Sequence, residues 1–415
     1  MSVLWAAYRL AAPCLGAVAP AAGVFTSPHE RPLWRERMGH VTSTGGVDAW
    51  VHAASLGEAA AVAPFLRELR RAREDASFWL TASTRTGRAR LAEAGTPTSL
   101  APIDSPQATR RFLGAVRPRR VFLIETELWP HWLLRARALE LPVAVVSARL
   151  SERSVVRYQR LGGALRALVG ALAAVLCQSG ADEQRWLAIG APAGRTRVVG
   201  NLKSDGLPQP AADRAAARRA LGVDPLRPLL VLGSVRPGEA RALARAWSAL
   251  PEALRASWQV VAVPRHPGAA PGLREEASLA GVPPDGDGAA SGPWRWDART
   301  GVLAAWYAAA DVAFVGGSLV PLGGHNPLEP AACHAAVLMG PHHAAQGDYV
   351  RALQAAGGIV LAAGGEPLAA ALAQLLGDEV RRGAVAHAAF AVAQSQRGSA
   401  ARAVDELRAL GLWPA

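Results

Sequence analysis

The sequence predicts an α/β protein of two similar domains, each a parallel sheet with helices on both faces. Three observations carry that prediction. Short apolar runs alternate with helix-patterned segments over most of the chain. The alternation breaks at 203–210 and then resumes, which marks a hinge. With 415 residues the chain exceeds what one core usually serves, so two domains of about 200 residues each are expected.

The N-terminal segment 1–30 is apolar. Residues 3–24 are interrupted only by Tyr8, Arg9, Pro13 and Pro20. The length approaches one bilayer crossing, but no positive charge precedes Arg9 as it would in an export signal. Arg31, Arg35 and Arg37 follow, with Trp34 among them. This pattern reads as an interfacial anchor, with apolar and aromatic atoms in the headgroup zone and arginines on lipid phosphates. The alternative is an apolar helix packed on the protein's own core.

Strands are expected next at 47–52, 77–82, 120–124, 143–147, 174–178 and 197–199. The helix read over 58–73 turns Leu66 and Leu69 inward and Arg67, Arg70, Arg71 and Arg73 outward. Beyond the hinge, strands are expected at 228–233, 258–264 and 311–315. Helical pieces are expected at 239–250, 303–309 and 330–335. Residues 281–296, rich in Gly, Pro and Asp, read as a long irregular loop. From 379 to about 410 the chain reads as helical.

Forty-five Lys and Arg stand against 33 Asp and Glu, a formal charge of +12 that favours an anionic partner or surface. No zinc finger, RNA-binding aromatic signature or basic tail accompanies it, so no nucleic-acid partner is expected. Cys14, Cys177 and Cys333 fit neither a zinc spacing nor a disulfide framework, and free thiols are expected. Walker, paired-histidine, serine-elbow and dinucleotide fingerprints are absent, which weakens ATPase, metalloprotease, esterase and dehydrogenase readings.

Chemistry-bearing residues cluster where strands end. The loop 316–329, GGSLVPLGGHNPLE, follows an apolar run and ends in Asn326 and Glu329 at a helix start. Its glycines can bring backbone N–H groups to an anion, and Glu329 suits sugar hydroxyls, so it reads as a nucleotide-sugar pocket or as a turn with a helix cap. Glu58, in SLGE, is either a helix-terminus charge or a general base. Residues 81–87 form a hydroxyl-rich loop that either binds oxygens or caps a helix. Glu125 and Glu127 follow an apolar run and need cations, for which Arg149 and Lys203 are the candidates. Lys203, in GNLK, either reaches a phosphate or acidic sugar or is a solvated hinge charge. In PRHP, Pro264 restricts the loop, Arg265 suits a phosphate, and His266 bonds a nucleotide or nearby backbone.

Taken together, SLGE at 55–58, ETELWP at 125–130, ARLSERS at 148–154, GNLK at 200–203, PRHP at 264–267 and FVGGSLVPLGGHNPLEPA at 314–331 resemble the 3-deoxy-D-manno-octulosonic acid (Kdo) transferases of lipid A assembly. The resemblance implies a GT-B glycosyltransferase fold, two Rossmann-like domains facing a central cleft, with no metal and no bound cofactor. It implies CMP-Kdo as donor and the acylated, phosphorylated glucosamine disaccharide precursor of lipid A as acceptor, at the cytoplasmic side of the inner membrane. The domains expected are a membrane anchor at 1–30, an acceptor-binding domain at 31–203, a CMP-Kdo-binding domain at 204–395, and a closing helix at 396–415 that packs back on the N-terminal domain. By motif match, Glu58 is the proton acceptor, and Glu125 and Lys203 stabilise the transition state. Pro264 and Arg265, Gly301, Val302 and Leu303, and Asn326, Pro327, Leu328 and Glu329 align with CMP-contacting segments. Three positions depart from the pattern. Val302 replaces the usual acid, so a nucleotide contact there must come from backbone. Ser147 stands for Asn, and Ser204 for Phe. The alternatives are another membrane-associated nucleotide-sugar transferase or a non-catalytic basic membrane scaffold.

Overall fold

The computed structural model describes residues 8, 27, 30–42, 45–283 and 294–414. The apolar segment 3–24 therefore lies outside the described residues except for Tyr8, and so does most of the loop expected at 281–296. Among the described residues, no helix is long and apolar enough to cross a membrane.

The chain forms two compact units, residues 1–206 with 396–415, and residues 207–395. The first is built on seven parallel strands: β1 (Ala49–Ala53), β2 (Phe78–Ala82), β3 (Thr98–Leu100), β4 (Val121–Ile124), β5 (Val143–Ala148), β6 (Ala174–Cys177) and β7 (Thr196–Val198), in the order β3-β2-β1-β4-β5-β6-β7. β1, β2, β4, β5 and β6 are buried along their whole length, as strands covered on both faces must be. Their apolar runs are what made them legible.

The second unit repeats the plan with six parallel strands: β8 (Leu229–Val235), β9 (Gln259–Pro264), β10 (Trp294–Trp296), β11 (Val312–Val315), β12 (Ala336–Met339) and β13 (Ile359–Leu361). Their order is β10-β9-β8-β11-β12-β13. The strand order reverses between β1 and β4 in one sheet and between β8 and β11 in the other. At such a switch point the loops at the carboxyl ends diverge and leave a crevice for ligand. This is the two-domain Rossmann-like class that the alternation predicted.

Several elements differ from expectation. β10 falls inside the segment read as irregular loop, because three residues with two tryptophans give too short a signal to separate from a loop. The helix expected at 330–335 is instead Leu328–Ala332, followed directly by β12. The C-terminal helical stretch is two helices, Glu379–Ser395 and Ser399–Ala409, separated at Gly398 with φ +77°. The second belongs to the first unit. Leu407 and Trp413 enter the core beside Phe78 and Phe122, and Trp413 Nε1 donates to the Leu69 carbonyl at 3.2 Å. Asp205 accepts from the N–H groups of Ser399 and Ala400, at 3.3 and 2.6 Å, and so caps that helix.

Candidate functional site

In the first unit, the Ser55 hydroxyl caps the helix Leu56–Ala72 by accepting from Glu58 N. The Glu58 carboxylate folds back in return. It accepts from Ala54 N at 2.7 Å and from the Ser55 hydroxyl at 3.0 Å, a variant of the capping box. Glu58 is half-buried, and burial raises its pKa, with the negative charge of Glu125 as the next cause and Glu127 a smaller one. Its two hydrogen bonds oppose the rise. The two readings of Glu58 are thus not exclusive: it closes the helix end and also shares a field with two other acids. A half-buried carboxylate so crowded holds a proton more readily than an ordinary one, which suits a general base near neutral pH.

Glu125 leaves β4 with φ +63°, a left-handed conformation that a residue with a Cβ adopts at a cost of roughly 1 kcal/mol or more. Its backbone N–H still bonds the Val146 carbonyl at 3.0 Å, so the sheet holds it there. Its side chain meets Lys203 Nζ at 2.5 Å. Lys203 is the sole lysine of the sequence; every other Lys or Arg is arginine. Where a compact ammonium is used once against that bias, a point charge on a flexible stem is what the position needs. That compositional signal was present in the sequence but unread.

Arg149, the other expected partner, forms no ion pair with either acid among the described residues; its carbonyl accepts from the Thr126 hydroxyl. Glu127 is held instead by two ring N–H groups. Trp129 Nε1 donates to it at 2.7 Å, and His52 Nε2 lies 3.4 Å away. His52 is fully buried, and its Nδ1 is 2.9 Å from the Thr81 hydroxyl, which also accepts from Trp50 Nε1 at 2.8 Å. A single hydrogen direction satisfies the whole chain, from Trp50 through Thr81 and His52 to Glu127.

Ser147, also left-handed at φ +57°, ties down the lysine segment. Its hydroxyl accepts from Leu202 N and from the Gln178 amide, each at 3.2 Å. The serine in place of the usual asparagine therefore still links β5 to the turn carrying Lys203. Ser204 is buried under the same turn. The hydroxyl-rich loop 81–87 is a cap: Thr84 accepts from Gly87 N at 3.1 Å. Of the N-terminal arginines, Arg31 and Arg35 are exposed, whereas Arg37 bonds the Ser83 carbonyl.

In the second unit, the loop after β11 makes a close approach that only glycine permits. A Cβ on Gly316 would meet the Ser234 carbonyl at 2.3 Å, and Gly317 has φ +71°. The N–H groups of Gly317, Ser318 and Leu319 are not open to a ligand. Glu239, fully buried at the start of the helix Glu239–Ser248, takes them. Its Oε1 accepts from Ser318 N and Leu319 N, each at 2.9 Å. Its Oε2 accepts from Gly317 N at 2.8 Å and Arg236 N at 2.9 Å. A carboxylate 80 residues away in sequence thus occupies the nest. The short helix beyond the loop is closed too, by the Asn326 side chain accepting from Leu328 N at 3.1 Å.

Pro264 ends β9 opposite Val235, and Arg265 and His266 follow it, both exposed. Glu329 is half-buried, and burial raises its pKa against the opposing effects of Arg265 and Asn326. Arg265, Asn326 and Glu329 are therefore brought together. Pro327 and Leu328 are buried beneath them. Gly301, with φ +81°, and Val302 lead into the helix Leu303–Ala309 at the same sheet edge, after β10. The nearby Asp297 does not replace the missing acid: Arg299 and the Trp306 N–H hold it, and these bonds pull its pKa down to about 2.

Comparison with known proteins shows the family and the fold. Residues 33–206 match the family model described as 3-deoxy-D-manno-octulosonic-acid transferase (kdotransferase). The chain is 35% identical over 375 residues to the 3-deoxy-D-manno-octulosonic acid transferase of Bordetella pertussis, covering 86% of each. It is 28% identical to that of Haemophilus influenzae, covering 92% of each. The chain belongs to the Kdo transferase family. It is an enzyme, a glycosyltransferase, and the scaffold alternative is set aside. Among solved structures, the UDP-GlcNAc 2-epimerase of Neisseria meningitidis superposes with a TM-score of 0.63 at 14% identity, over 87% of this chain and 99% of that one. A glycosyltransferase of Rickettsia africae gives 0.58 at 11% identity, over 89% and 98%. These show a GT-B-like fold of two Rossmann-like domains.

Proposed function

We propose that this Kdo transferase takes Kdo from CMP-Kdo and places it on a primary hydroxyl of the tetraacyl disaccharide bisphosphate precursor of lipid A. The observation that carries the reading is the group Glu58, Glu125 and Lys203 at one sheet edge: a carboxylate of raised pKa beside an acid–lysine pair. Glu58 removes the hydroxyl proton as the acceptor oxygen bonds to the anomeric carbon. The bond from that carbon to the phosphate breaks, and its electron pair leaves with CMP. One displacement inverts the configuration. Lys203, paired with Glu125, offsets charge that develops in the transition state. In the second unit, Arg265, Asn326 and Glu329 supply cationic and hydrogen-bonding groups for the nucleotide.

The exposed apolar side chains Leu56, 51% accessible, and Trp129, 39% accessible, adjoin Glu58 and Glu127 in sequence and suit an acylated acceptor. The basic balance and the apolar N-terminal segment support work at an anionic membrane surface, on the cytoplasmic side of the inner membrane. Incubation with CMP-Kdo and the lipid A precursor, followed by product mass, tests donor, acceptor and number of additions together. A product unchanged in mass overturns the reading. Deleting residues 1–30 should release the protein from membranes, and undiminished membrane recovery refutes the anchor.

A further inference from the structure

The glycine-rich loop after β11 has given three of its N–H donors to Glu239, so an anion at this edge calls for a further ligand. The structure offers one that motif reading passed over. Arg236 directly follows β8, and Arg265 and His266 follow the neighbouring β9. Arg236 Nη1 lies 2.8 Å from His266 Nε2. A guanidinium only donates, so that ring nitrogen accepts and the ring proton sits on Nδ1. Arg236 Nε is buried with no hydrogen-bond partner. Neither Arg236 nor Arg265 forms an ion pair among the described residues, whereas Arg299, which follows β10 at the same sheet edge, pairs with Asp297. The cluster is dense in positive charge. Burial, followed by the fields of Arg265, Arg236 and His266, lowers the His325 pKa to about 4.

An unpaired guanidinium with a buried open donor, beside a second arginine, is matched by an oxyanion accepting from both forks. Glu239 fixes this arginine as well as the loop, because the same Oε2 accepts from Arg236 N and Gly317 N. We propose that Arg236 is a donor-binding residue that, with Arg265, holds an oxyanion of the nucleotide sugar, its phosphate or its sugar carboxylate, in place of the loop backbone. The assignment rests on the CMP-Kdo reading above.

The test is calorimetric titration of the full-length protein with cytidine and with CMP, together with KM for CMP-Kdo, for wild type, Arg236→Ala and Arg236→Lys. Wild type is expected to bind CMP more tightly than cytidine. Arg236→Ala should weaken CMP about ten- to a hundredfold, the range of a charge-assisted hydrogen bond, and leave cytidine unchanged. Arg236→Lys should recover part of the loss. A loss on CMP assigns the phosphate; a loss confined to KM for CMP-Kdo assigns the carboxylate. An equal loss on cytidine makes Arg236 merely structural and overturns the proposal, as does no loss on any ligand. If wild type gains nothing from the phosphate of CMP and shows no turnover of CMP-Kdo, the donor reading itself fails, and this assignment with it.

Discussion

Replacing Glu239 by glutamine tests the most constrained feature of the second unit. The carboxylate is fully buried, and its two oxygens each accept two backbone N–H groups, at 2.8–2.9 Å. Glutamine keeps the shape but turns one oxygen into an amide NH2. Whichever way the amide lies, two N–H donors then face a donor. Each buried, unsatisfied donor costs about 1–3 kcal/mol, so the substitution should cost about 2–6 kcal/mol. A domain has only about 5–15 kcal/mol in total. For a unit of this size, each kcal/mol moves Tm by about 2–4 °C, which places the expected fall between about 4 and 24 °C. Thermal unfolding followed by circular dichroism reads it, with the transition of the second unit moving and that of the first staying. Alanine is the harsher change, leaving all four donors open. A glutamine variant that melts with wild type would refute the reasoning, since it would mean that the loop finds other acceptors at no cost.

Other substitutions address the first unit. Glu58→Gln should cut kcat by about a hundred- to ten-thousandfold, the usual range for a general base, with product mass unchanged. In wild type the acid limb of kcat/KM should lie above the ordinary carboxylate range, because burial and Glu125 raise the Glu58 pKa; a limb at an ordinary carboxylate value contradicts this role. Lys203→Arg keeps the charge but replaces a point ammonium 2.5 Å from Glu125 with a planar fork, and about a tenfold or larger fall in kcat is expected. Undiminished turnover would reduce Lys203 to a generic cation. Asp104 is half-buried, and the loss of solvent raises its pKa to about 7 although His131 N and Trp132 N donate to it. The folded state therefore favours the protonated acid. Its contribution to stability is present below the ordinary value of 3.8 and is lost as pH rises through about 7. Asp104→Asn should gain in Tm over wild type as pH rises from about 5 to about 8, with a ceiling of roughly 4 kcal/mol. A Tm difference independent of pH would count against it.

Much of the fold was legible because parallel strands buried on both faces write themselves as continuous apolar runs. The runs at 121–124 and 312–315 are strands within a residue of where they were read. The three-residue strands β3, β10 and β13 were missed, since three residues carry too little periodicity to separate from loop, and so was the four-residue β12, an apolar run just after the segment read as helix. In the candidate site, Glu58, Glu125 and Lys203 stood out by position, each after a strand. Arg236 and Glu239 did not. Nothing local distinguishes an arginine in a Pro-Gly turn or a glutamate opening a helix from a solvated surface charge.

The order of apolar runs and turn residues was enough to determine the class of fold and the sheet edge at which the polar motifs lie, because backbone preference and side-chain period are local properties. Which donor meets which acceptor was decided only by the tertiary structure. Lys203 finds Glu125 across 78 residues, and Glu239 reaches a loop about 80 residues on, taking the N–H groups that the glycines suggested were open. The physical reason is burial. Once a backbone donor is removed from water it must be satisfied by whatever the packing brings within 3 Å, and that neighbour is not written in the residues beside it.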